Sequence, residues 1–480
     1  MSDALQGPPH RRTKIIATLG PATRKPETIR ELITAGVDVF RLNFSHGNRA
    51  DHAEAVTMIR EASAGLGREV GVLGDLPGPK LRLGNLEDGV AVLHSGSSLI
   101  LRGGDEHGTA DNLPVQWAGL ADAVNPGDPV FLADGRVRLK VVAVSDGQVT
   151  AEVEAGGAVS SHQGVNLPGA DAELPDAGSH DSEWVQFACD QGIDFLAVSF
   201  VRRPSDLEPI QAILDQRDSN IPLIAKIEKP QAAERAPEII EAAGGGIMVA
   251  RGDLGVELPL EEVPGTQKRL ISLAGRASKP VITATQMLAT MVKASRPTRA
   301  EVADVANAIY DGTDAVMLSE ETAIGEHPVE AVRVMDRIAR ATELNLPYGD
   351  WVFNRVETKE DDVAHAVAQV TVAATYRLKL AAIVVPTGSG RTARLISSFR
   401  PRDPVLALSS NISTVRRMSL LFGVSAAMEE PWDSLRQLLD DAARLAREEG
   451  VAQAGDLIAI TAGLPEQALG TNLFEVHRVP

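Results

Sequence analysis

Charged and hydroxyl side chains follow several short apolar segments of this chain, and their types fit the chemistry of phosphates and metal ions. Lys226 and Glu228 lie two residues apart in the segment AKIEKP, so both side chains point the same way if this segment is a strand. Asp253 follows the next apolar segment, and two carboxylates together with substrate oxygens are ligands that magnesium accepts. We therefore predict that Glu228 and Asp253 bind Mg²⁺, or Mn²⁺ in its place. A structural ion pair is the alternative interpretation of Lys226 and Glu228 taken alone.

The segment MVARGDLG predicts a turn from a strand into a helix at Gly252 and Asp253. Free backbone N–H groups and the helix dipole favour an anion at such a turn. A substrate carboxylate fits this position, and a tight turn without a ligand is the alternative.

Further polar residues stand where other apolar segments end. They are Arg41, Asn43, Ser45, Asp75, Thr285 and Ser319. In a (β/α)₈ barrel the reactive residues lie at the carboxyl ends of the strands, so these side chains would share one rim. That rim would hold cations, carboxylates and hydroxyl groups.

Eight near-continuous apolar segments, separated by helix-like stretches, predict the elements that would position this rim. They are KIIATL, VDVFRLNF, VGVLGDL, FLAVSF, PLIAKIE, GIMVARGD, PVITATQ and AVMLSEE. Strands that are apolar along their whole length are typical of a parallel sheet covered by helices, and the number eight favours a closed (β/α)₈ TIM barrel. We assign residues 12–76 and 163–345 to this barrel and residues 1–11 to an N-terminal tail.

Residues 77–162 interrupt the barrel pattern between its third and fourth segments. Apolar and polar residues alternate there around Asp134-Gly135 and Asp146-Gly147, which are strong signals of β-hairpins. We predict a small inserted β-barrel domain, and its many Gly, Asp and Ser residues suit a mobile lid.

Residues 346–480 form a third predicted domain, which follows the predicted linker NLPYGDWVFNRVETKEDD. The strands AAIVVPT, PVLALSS and DLIAIT, with helices between them, predict an open α/β sheet with helices on both faces. The loop PTGSGRT follows a strand and opens a helix, so its N–H groups and hydroxyls can cradle a phosphate together with Arg391. An ordinary glycine-rich turn is the alternative for this loop.

The composition narrows the class of protein. Hydrophobic residues make up 44% and charged residues 23% of the 480 residues, and no apolar run is long enough to cross a bilayer. A net charge of −18 disfavours nucleic acid as the main partner, because such binding depends on neutralising phosphates. The opening segment MSDALQGPPHRR lacks the apolar core of a signal peptide, and the single Cys189 cannot form an intramolecular disulfide. We therefore expect a cytoplasmic protein that binds neither nucleic acid nor membrane.

Seven motifs, taken together in their order and spacing, resemble those of pyruvate kinases. They are TKIIATLGPAT, RLNFSHG, AKIE, MVARGDLG, ITATQML, RPTRAEVADVANA and MLSEETA. The resemblance covers the barrel, the insertion and the C-terminal domain. It implies a phosphotransferase that moves the phosphoryl group of phosphoenolpyruvate to ADP, giving pyruvate and ATP in the last step of glycolysis.

The resemblance also implies a role for each residue of the rim. Lys226 would stabilise the transferring phosphoryl group and the enolate that remains, while Glu228 and Asp253 would hold the magnesium ion. Thr285 and Ser319 would position a water or a relay that protonates the enolate. The substrate would be bound by Arg41, Lys226, Gly252, Asp253 and Thr285, and the nucleotide by Asn43, His46 and Arg82.

Many members of this family need potassium near residues that match Asn43, Ser45 and Asp75, with an acidic residue a few positions further on. This chain has Lys80 at that later position. Its ammonium group would supply the positive charge, so we predict activity without potassium. A solvated surface lysine is the alternative.

The resemblance also implies how the protein is regulated and assembled. The loop PTGSGRT would bind a phosphorylated allosteric effector, and the chain would form a homotetramer. The expected contacts of the effector are Thr387, Ser389, Gly390, Arg391 and Thr392.

Two other functions remain open at this point. A barrel lyase that acts on phosphoenolpyruvate or on pyruvate enolates would use similar carboxylates but would not need ADP. An inactive sensor would only bind phosphorylated metabolites. The inserted lid and the pair Arg41 and Arg82 favour a kinase over a lyase, and the complete set of Lys226, Glu228, Asp253 and Thr285 argues against a sensor.

Overall fold

A computed structural model describes residues 11–104, 106–133, 135–168, 178–357, 362–432, 434–463 and 471–480. Residues 1–10 of the predicted tail and Asp134 of the first predicted hairpin lie outside these ranges.

Eight parallel strands close into a barrel, which confirms the predicted fold. Numbered in chain order together with the strands of the insertion, they are β1 (Lys14–Thr18), β2 (Val39–Asn43), β3 (Gly71–Asp75), β12 (Phe195–Val198), β13 (Leu223–Ile227), β14 (Gly246–Ala250), β15 (Val281–Ala284) and β16 (Ala315–Leu318). They follow one another around the barrel in this order, and β16 pairs with β1 to close it.

Helices cover the outside of the barrel or extend its loops. They are α1 (Pro26–Ala35), α2 (Arg49–Leu66), α4 (Gly178–Asp190), α5 (Glu208–Gln216), α6 (Pro230–Glu234), α7 (Ala236–Ala242), α8 (Arg251–Glu257), α9 (Val263–Arg276), α10 (Arg299–Asp311), α11 (Glu320–Ala323) and α12 (Pro328–Glu343). Local sequence explains where several begin. Thr298 caps α10 by accepting from the N–H of Glu301, whose carboxylate accepts from the N–H of Thr298 in return.

The barrel strands are apolar on both faces because each face packs against a different layer. Ile16, Leu73 and Met248 belong to a cluster that fills the barrel interior, whereas the neighbouring Ile15 and Val72 belong to the larger core shared with the helices. Packing is closest where β14 begins. Gly246 has a φ of 98°, and a Cβ atom there would lie 2.0 Å from the carbonyl oxygen of Pro280, so the close approach of β14 to β15 requires glycine.

The insertion forms a second core built on a curled sheet. Its strands are β4 (Val90–Leu93), β5 (Ser98–Gly103), β6 (Asn112–Val115), β7 (Pro129–Leu132), β8 (Val137–Ser145), β9 (Gln148–Ala155), β10 (Gly157–Ser160) and β11 (Val165–Asn166), with the short helix α3 (Leu120–Ala123). Six strands pair in the order β11-β7-β8-β9-β5-β6, and β10 pairs with β4. Because β11 pairs with β7, the sheet of the insertion extends past the predicted limit at residue 162 as far as Asn166. Asp146 and Gly147 both have positive φ, at 52° and 75°, and join β8 to β9 as the predicted hairpin turn.

The C-terminal domain is an open sheet with helices on both faces, as predicted. Its strands are β17 (Ala382–Pro386), β18 (Val405–Ser409), β19 (Val424–Met428), β20 (Leu457–Ala462) and β21 (Leu473–Arg478). The order is β19-β18-β17-β20-β21, and only β21 among these strands runs antiparallel to its neighbour. The accompanying helices are α14 (Val363–Thr375), α15 (Arg391–Ser398), α16 (Ile412–Met418) and α17 (Leu435–Glu448).

The segment predicted to be a linker contains a helix, α13 (Tyr348–Asn354), so that prediction was wrong in part. Tyr348 and Val352 of α13 are buried, so one side of this helix packs against the protein although the segment as a whole is rich in polar residues.

A buried ion pair and a half-buried one join the C-terminal domain to the barrel. Arg400 is 1% exposed, donates to Asp314 at 2.7 Å and to the carbonyl oxygen of Gly312 at 2.7 Å, and contacts the ring of Phe422. Arg416 of α16 pairs with Glu69 at 2.8 Å. Within the described ranges, no helix is long and apolar enough to cross a bilayer.

Candidate active site

Lys226 lies at the centre of the carboxyl rim. Its ammonium nitrogen is 2.7 Å from the hydroxyl of Ser199, 2.8 Å from Glu228 Oε1 and 3.2 Å from Asp75 Oδ1. The strands bring these groups together because β12 pairs with both β3 and β13, whose carboxyl ends carry Asp75 and the Lys226–Glu228 pair. Lys226 is 9% exposed, so a charged group is held almost out of water at the mouth of the barrel.

Arg41 adds a second cation to this cluster. Its guanidinium contacts Asp75 Oδ2 at 2.6 and 2.7 Å, and Nη1 lies 3.2 Å from the hydroxyl of Thr18. Asp75 therefore joins Arg41 to Lys226 through its two oxygens.

The pKa values of this cluster follow from burial and from the neighbouring charges. Burial alone would lower the pKa of Lys226, but Asp75 and Glu228 raise it above the ordinary value. Burial would raise the pKa of Asp75, but Lys226 and Arg41 lower it. Lys226 and Asp75 therefore stabilise each other in their ionised forms.

Glu228 differs from Asp75 because its pKa is raised. Burial is the largest cause, the charge of Lys226 opposes it, and the negative charge of Asp253 raises the pKa further. Oε2 accepts from the N–H of Phe200 at 2.8 Å, whereas Oε1 accepts no hydrogen bond and has only the ionic contact with Lys226. Glu228 and Asp253 are neighbouring carboxylates whose negative charges repel each other, and such a pair fits a divalent cation between them. The described residues contain no cluster of three or more His, Cys, Asp or Glu, so such an ion would depend on substrate or water for its other ligands.

Lys80 lies beside the second of these carboxylates. Its ammonium nitrogen is 3.7 Å from Asp253 Oδ1, and its side chain is 25% exposed. A Cβ atom on Gly164 would lie 2.7 Å from Lys80 Cε, so Gly164 leaves room for this side chain. The alternative of a fully solvated surface lysine does not describe this environment, and the role of the ammonium group stays a prediction.

Gly252 and Thr285 are joined at the rim by a direct hydrogen bond. The N–H of Gly252 donates to Thr285 Oγ1 at 2.7 Å, and that hydroxyl donates to the carbonyl oxygen of Ala284 at 2.7 Å. The expectation of a free N–H at Gly252 was therefore wrong, because Thr285 already occupies it. Thr285 has a φ of 69°, an unfavourable conformation for a β-branched residue, and Gln286 follows at 55°.

Ser319 lies at the end of β16, where its hydroxyl is buried without a hydrogen-bond partner among the described residues. Its N–H donates to Glu321 Oε2 at 2.7 Å, and Glu321 Oε1 accepts from the N–H of Leu288 at 3.0 Å. Glu321 is 2% exposed and so connects the loop after β15, which holds Thr285, to the loop after β16.

The residues expected to bind nucleotide or a monovalent cation lie in two places. Asn43 ends β2, and its side chain accepts from the N–H of Ser45 at 3.2 Å. His46 follows in the same turn and is exposed. Arg82 lies at the start of the inserted domain, where it donates to the carbonyl oxygen of His162 at 3.1 Å. Arg41 and Arg82 therefore belong to different domains.

The loop PTGSGRT lies between β17 and α15, as expected of a strand-to-helix connection, and its role stays a prediction. Gly390 has a φ of 78°, and its N–H donates to the hydroxyl of Thr387 at 3.0 Å. Thr392 is buried, with its hydroxyl 2.6 Å from that of Thr471, while Ser389 and Arg391 are exposed.

Sequence reasoning did not select three residues that the structure places at the site. Ser199 contacts Lys226, Glu321 orders two loops, and Glu257 of α8 pairs with Lys229 and accepts from Asn166 of the inserted domain. The rule that found the other rim residues also applies to Ser199, which directly follows the strand FLAV. Glu257 carries no comparable signal because its partners Lys229 and Asn166 are distant in sequence. Glu321 bonds the nearby Ser319, but its role depends equally on Leu288, which lies 33 residues away.

A closed parallel barrel that holds a lysine between carboxylates at its carboxyl rim belongs to the class of TIM-barrel enzymes that act on anionic substrates. Comparison with known proteins identifies the family. The family model "Pyruvate kinase, barrel domain" matches residues 10–332, and "Pyruvate kinase, alpha/beta domain" matches residues 365–477. The chain belongs to the pyruvate kinase family and is a phosphotransferase.

Individual relatives agree over nearly the whole chain. The chain is 43% identical to the pyruvate kinase of Geobacillus stearothermophilus over 471 residues, covering 97% of this chain and 80% of that protein. It is 42% identical to that of Bacillus licheniformis over 472 residues, covering 98% of this chain and 80% of that protein. The crystal structure of a pyruvate kinase from Cryptosporidium parvum superposes with a TM-score of 0.93 at 34% identity, covering 98% of this chain and 96% of the other.

Proposed function

We propose that this enzyme transfers the phosphoryl group of phosphoenolpyruvate to ADP, giving pyruvate and ATP as the last step of glycolysis. The observation that carries the proposal is the buried ammonium group of Lys226, 2.8 Å from Glu228 and 3.2 Å from Asp75, with Arg41 on the other side of Asp75. Phosphoryl transfer needs positioned positive charge more than covalent help, and this cluster supplies two cations held in place by carboxylates.

Each residue of the rim has a proposed task. Lys226 stabilises negative charge on the transferring phosphoryl group and on the enolate oxygen, and Arg41 binds the phosphate. Glu228 and Asp253 hold Mg²⁺, which when bound supplies positive charge to the phosphoryl and enolate oxygens. Gly252 helps to bind the substrate through the helix start at which it lies. Asn43, His46 and Arg82 bind the nucleotide, and the inserted domain carries Arg82 toward it.

Protonation of the enolate is assigned to the loops after β15 and β16. The hydroxyl of Thr285 is fixed by Gly252 and Ala284, and the hydroxyl of Ser319 is buried without a partner among the described residues. We propose that Ser319 binds a water or relay and that Thr285 orients it toward the methylene carbon, since a neutral hydroxyl is a weak acid by itself.

Three further features of the proposal concern charge and regulation. Lys80 replaces a monovalent cation in the region of Asn43, Ser45 and Asp75, so potassium is not required. The loop at Thr387, Ser389, Gly390, Arg391 and Thr392 binds a phosphorylated effector, and the chain acts as a homotetramer. The inserted domain begins at residue 77 and the C-terminal domain at residue 346. The open sheet that follows residue 346 and the hydrogen-bonded loop geometry support this assignment.

The test follows pyruvate formation from phosphoenolpyruvate, ADP and Mg²⁺. Wild type is expected to be active, and Lys226→Met is expected to lose about 100- to 1,000-fold in kcat, because one positioned charge at the transition state is removed. Lys140→Met, on the exposed face of β8, is the matched control and should keep full activity. Thermal unfolding checks that Lys226→Met is folded. Pyruvate formation that does not depend on ADP would contradict the proposal and favour a lyase.

A further inference from the structure

Thr285 lies in a strained segment of backbone at the carboxyl rim. Its φ is 69° and that of Gln286 is 55°, and among the described residues no other two adjacent non-glycine residues both have positive φ. Side chains clash with the backbone in this left-handed region, and a β-branched residue such as threonine is disfavoured there most. Such a conformation persists only where surrounding contacts hold it. The contacts around Thr285 therefore show what the fold maintains at this position.

Arg251, the first residue of α8, supplies two of these contacts. Its Nη2 donates to the carbonyl oxygen of Thr285 at 2.8 Å, and its Nε donates to the carbonyl oxygen of Ala284 at 3.3 Å. The next residue, Gly252, donates its N–H to the Thr285 hydroxyl at 2.7 Å. Two adjacent residues that follow β14 therefore hold both the main chain and the hydroxyl of Thr285.

The guanidinium group of Arg251 is itself held by two helices outside the barrel. Nη1 lies 2.6 Å from Asp304 Oδ1 of α10 and 3.3 Å from Gln267 Oε1 of α9. Gln267 is buried, and its amide donates to Asp311 at the end of α10 at 2.9 Å. The side chain of Arg251 is 11% exposed. Contacts with the helical layer thus set the position of this group at the rim.

Each of the three guanidinium nitrogens of Arg251 donates to an acceptor within the protein. The group therefore acts on the rim through Thr285 and not through contact with the reacting atoms. A planar guanidinium can bond to a carboxylate on one side and to two carbonyl oxygens on another, whereas a lysine ammonium is a single point of charge on a flexible chain. The arrangement accordingly requires arginine and not merely a positive charge.

We propose that Arg251 is a positioning residue for enolate protonation, which keeps Thr285 in its left-handed conformation and so directs the Thr285 hydroxyl toward the reacting carbon. The inference rests on the proposed kinase reaction and deepens the role assigned there to Thr285. In this step the electron pair of the enolate double bond takes a proton from the water or relay at Ser319. A C–H bond forms at the methylene carbon, an O–H bond of the donor breaks, and solvent replaces the lost proton.

Arg251→Lys tests the proposal. The lysine keeps a positive charge beside Asp304 but cannot keep both carbonyl bonds, so kcat is expected to fall about 10- to 100-fold while KM for phosphoenolpyruvate stays within about twofold. Arg251→Gln also removes the charge and should lose at least as much turnover. An unchanged kcat in Arg251→Lys, or a loss confined to KM, would overturn the proposal.

Arg60→Lys is the matched control, because Arg60 has the same kinds of partner at the opposite end of the barrel. It pairs with Asp194 at 2.7 Å and donates to the carbonyl oxygens of Val70 and Gly192 at 2.9 and 3.0 Å. Thermal unfolding should show similar losses of stability in the two lysine variants, but only Arg251→Lys should lose turnover. An equal loss of kcat in both would give Arg251 a general structural role, contrary to the proposal.

Exchange of the methyl hydrogens of pyruvate with deuterium oxide isolates the proton-transfer step, because it runs the protonation in reverse. NMR in the presence of Mg²⁺ and ATP should show exchange by wild type and by Arg60→Lys. Arg251→Lys should exchange more slowly by at least the factor seen in kcat. Exchange at the wild-type rate in Arg251→Lys would rule out a role in protonation.

A crystal structure of Arg251→Lys provides a readout that does not depend on the reaction. Thr285 is expected to leave positive φ or to lose its bond with Gly252, and an unchanged Thr285 with φ near 69° would overturn the inference. Absence of pyruvate formation by wild type would instead refute the proposed kinase reaction. The structure of the variant would then still decide whether Arg251 holds Thr285 in place.

Discussion

At the scale of single residues, the rim is organised by charges that share partners. Asp75 accepts from both Arg41 and Lys226, and Lys226 also contacts Glu228 and Ser199. Each cation is therefore fixed before any substrate arrives, which is the condition under which charge stabilises a transition state most effectively. The same connections mean that replacing one member changes the environment of the others.

Thr285 is expected to act on the chemical step and not on substrate binding. Thr285→Ala removes the acceptor for the N–H of Gly252 and the proposed orienting hydroxyl, so kcat should fall about 100-fold or more while KM changes little. Thr285→Ser keeps the hydroxyl and should retain much of the activity. Steady-state kinetics with phosphoenolpyruvate measure both constants, and an unchanged kcat in the alanine variant would rule out this role.

Lys80 is expected to make the enzyme independent of potassium. Its ammonium nitrogen lies 3.7 Å from Asp253, so it provides positive charge beside a carboxylate of the proposed metal site. Wild type should turn over equally in sodium and potassium buffers of the same ionic strength. Lys80→Met should be less active in sodium and should recover in part when potassium replaces it.

Strong activation of wild type by potassium over sodium would contradict the role of Lys80. Lys293→Met is the control for the loss of one positive charge, because Lys293 lies in the loop after β15 and forms no ion pair among the described residues.

At the scale of elements, the loops after the strands are ordered by buried carboxylates that bond to other loops. Glu321 of α11 accepts from the N–H groups of Leu288 and Ser319, and so sets the relation between two loops of the rim. Glu257 of α8 connects the barrel to the inserted domain, because it pairs with Lys229 and accepts a hydrogen bond from the side chain of Asn166. The positions of the reactive groups therefore depend on Glu321 and Glu257, whose carboxylates hold the loops that carry those groups.

Glu321→Gln is expected to lower both stability and turnover. The glutamine side chain has only one oxygen, so it can accept from the N–H of Leu288 or from that of Ser319 but not from both. One charged hydrogen bond is therefore lost, and the free energy of unfolding should fall by about 1.5–3 kcal/mol. A lower kcat with little change in KM would show that the loops at Thr285 and Ser319 have moved. Glu320→Gln, at the exposed neighbouring position, is the matched control. Equal stability and kcat in the two variants would contradict a positioning role.

At the scale of the whole molecule, a buried charge cluster near the amino end of the barrel makes stability depend on pH. Asp38 pairs with Arg11 at 2.8 Å and with Arg68 at 2.9 Å, and it accepts from the N–H of Ile15. Burial favours the protonated acid, but Arg11, Lys14 and Arg68 lower the pKa of Asp38 to about 2.

The sign of the pH effect follows from this lowered pKa. The unfolded chain binds a proton at Asp38 near its ordinary pKa of about 3.9, whereas the folded chain does so only near 2, so the stabilisation is complete above pH of about 4 and is lost as the pH falls toward 2. The contribution is about 2–3 kcal/mol.

Denaturant unfolding of wild type and Asp38→Asn at a series of pH values measures this contribution. The difference in unfolding free energy between them should shrink as the pH falls from 5 toward 2. Asp218→Asn, at an exposed turn, is the control and should parallel wild type. A difference that stays constant with pH would contradict the assignment to Asp38.

The sequence by itself determined the fold class and most members of the rim. Strands such as KIIAT and LIAKI are buried along their whole length and are mostly apolar because both of their faces are covered, and this pattern is local enough to be recognised without a structure. The residues that follow such strands must share one end of a parallel barrel, so Arg41, Asp75, Lys226 and Glu228 could be grouped in advance.

Only the tertiary structure decided which of these groups touch. The contact of Lys226 with Ser199, the bond from Gly252 to Thr285 and the position of Lys80 beside Asp253 depend on the register of neighbouring strands and on the docking of the inserted domain. A cavity lined by Arg394 and Arg417 likewise exists because the barrel and the C-terminal domain meet there. Contacts between segments distant in the chain depend on packing, which no local pattern of residues encodes.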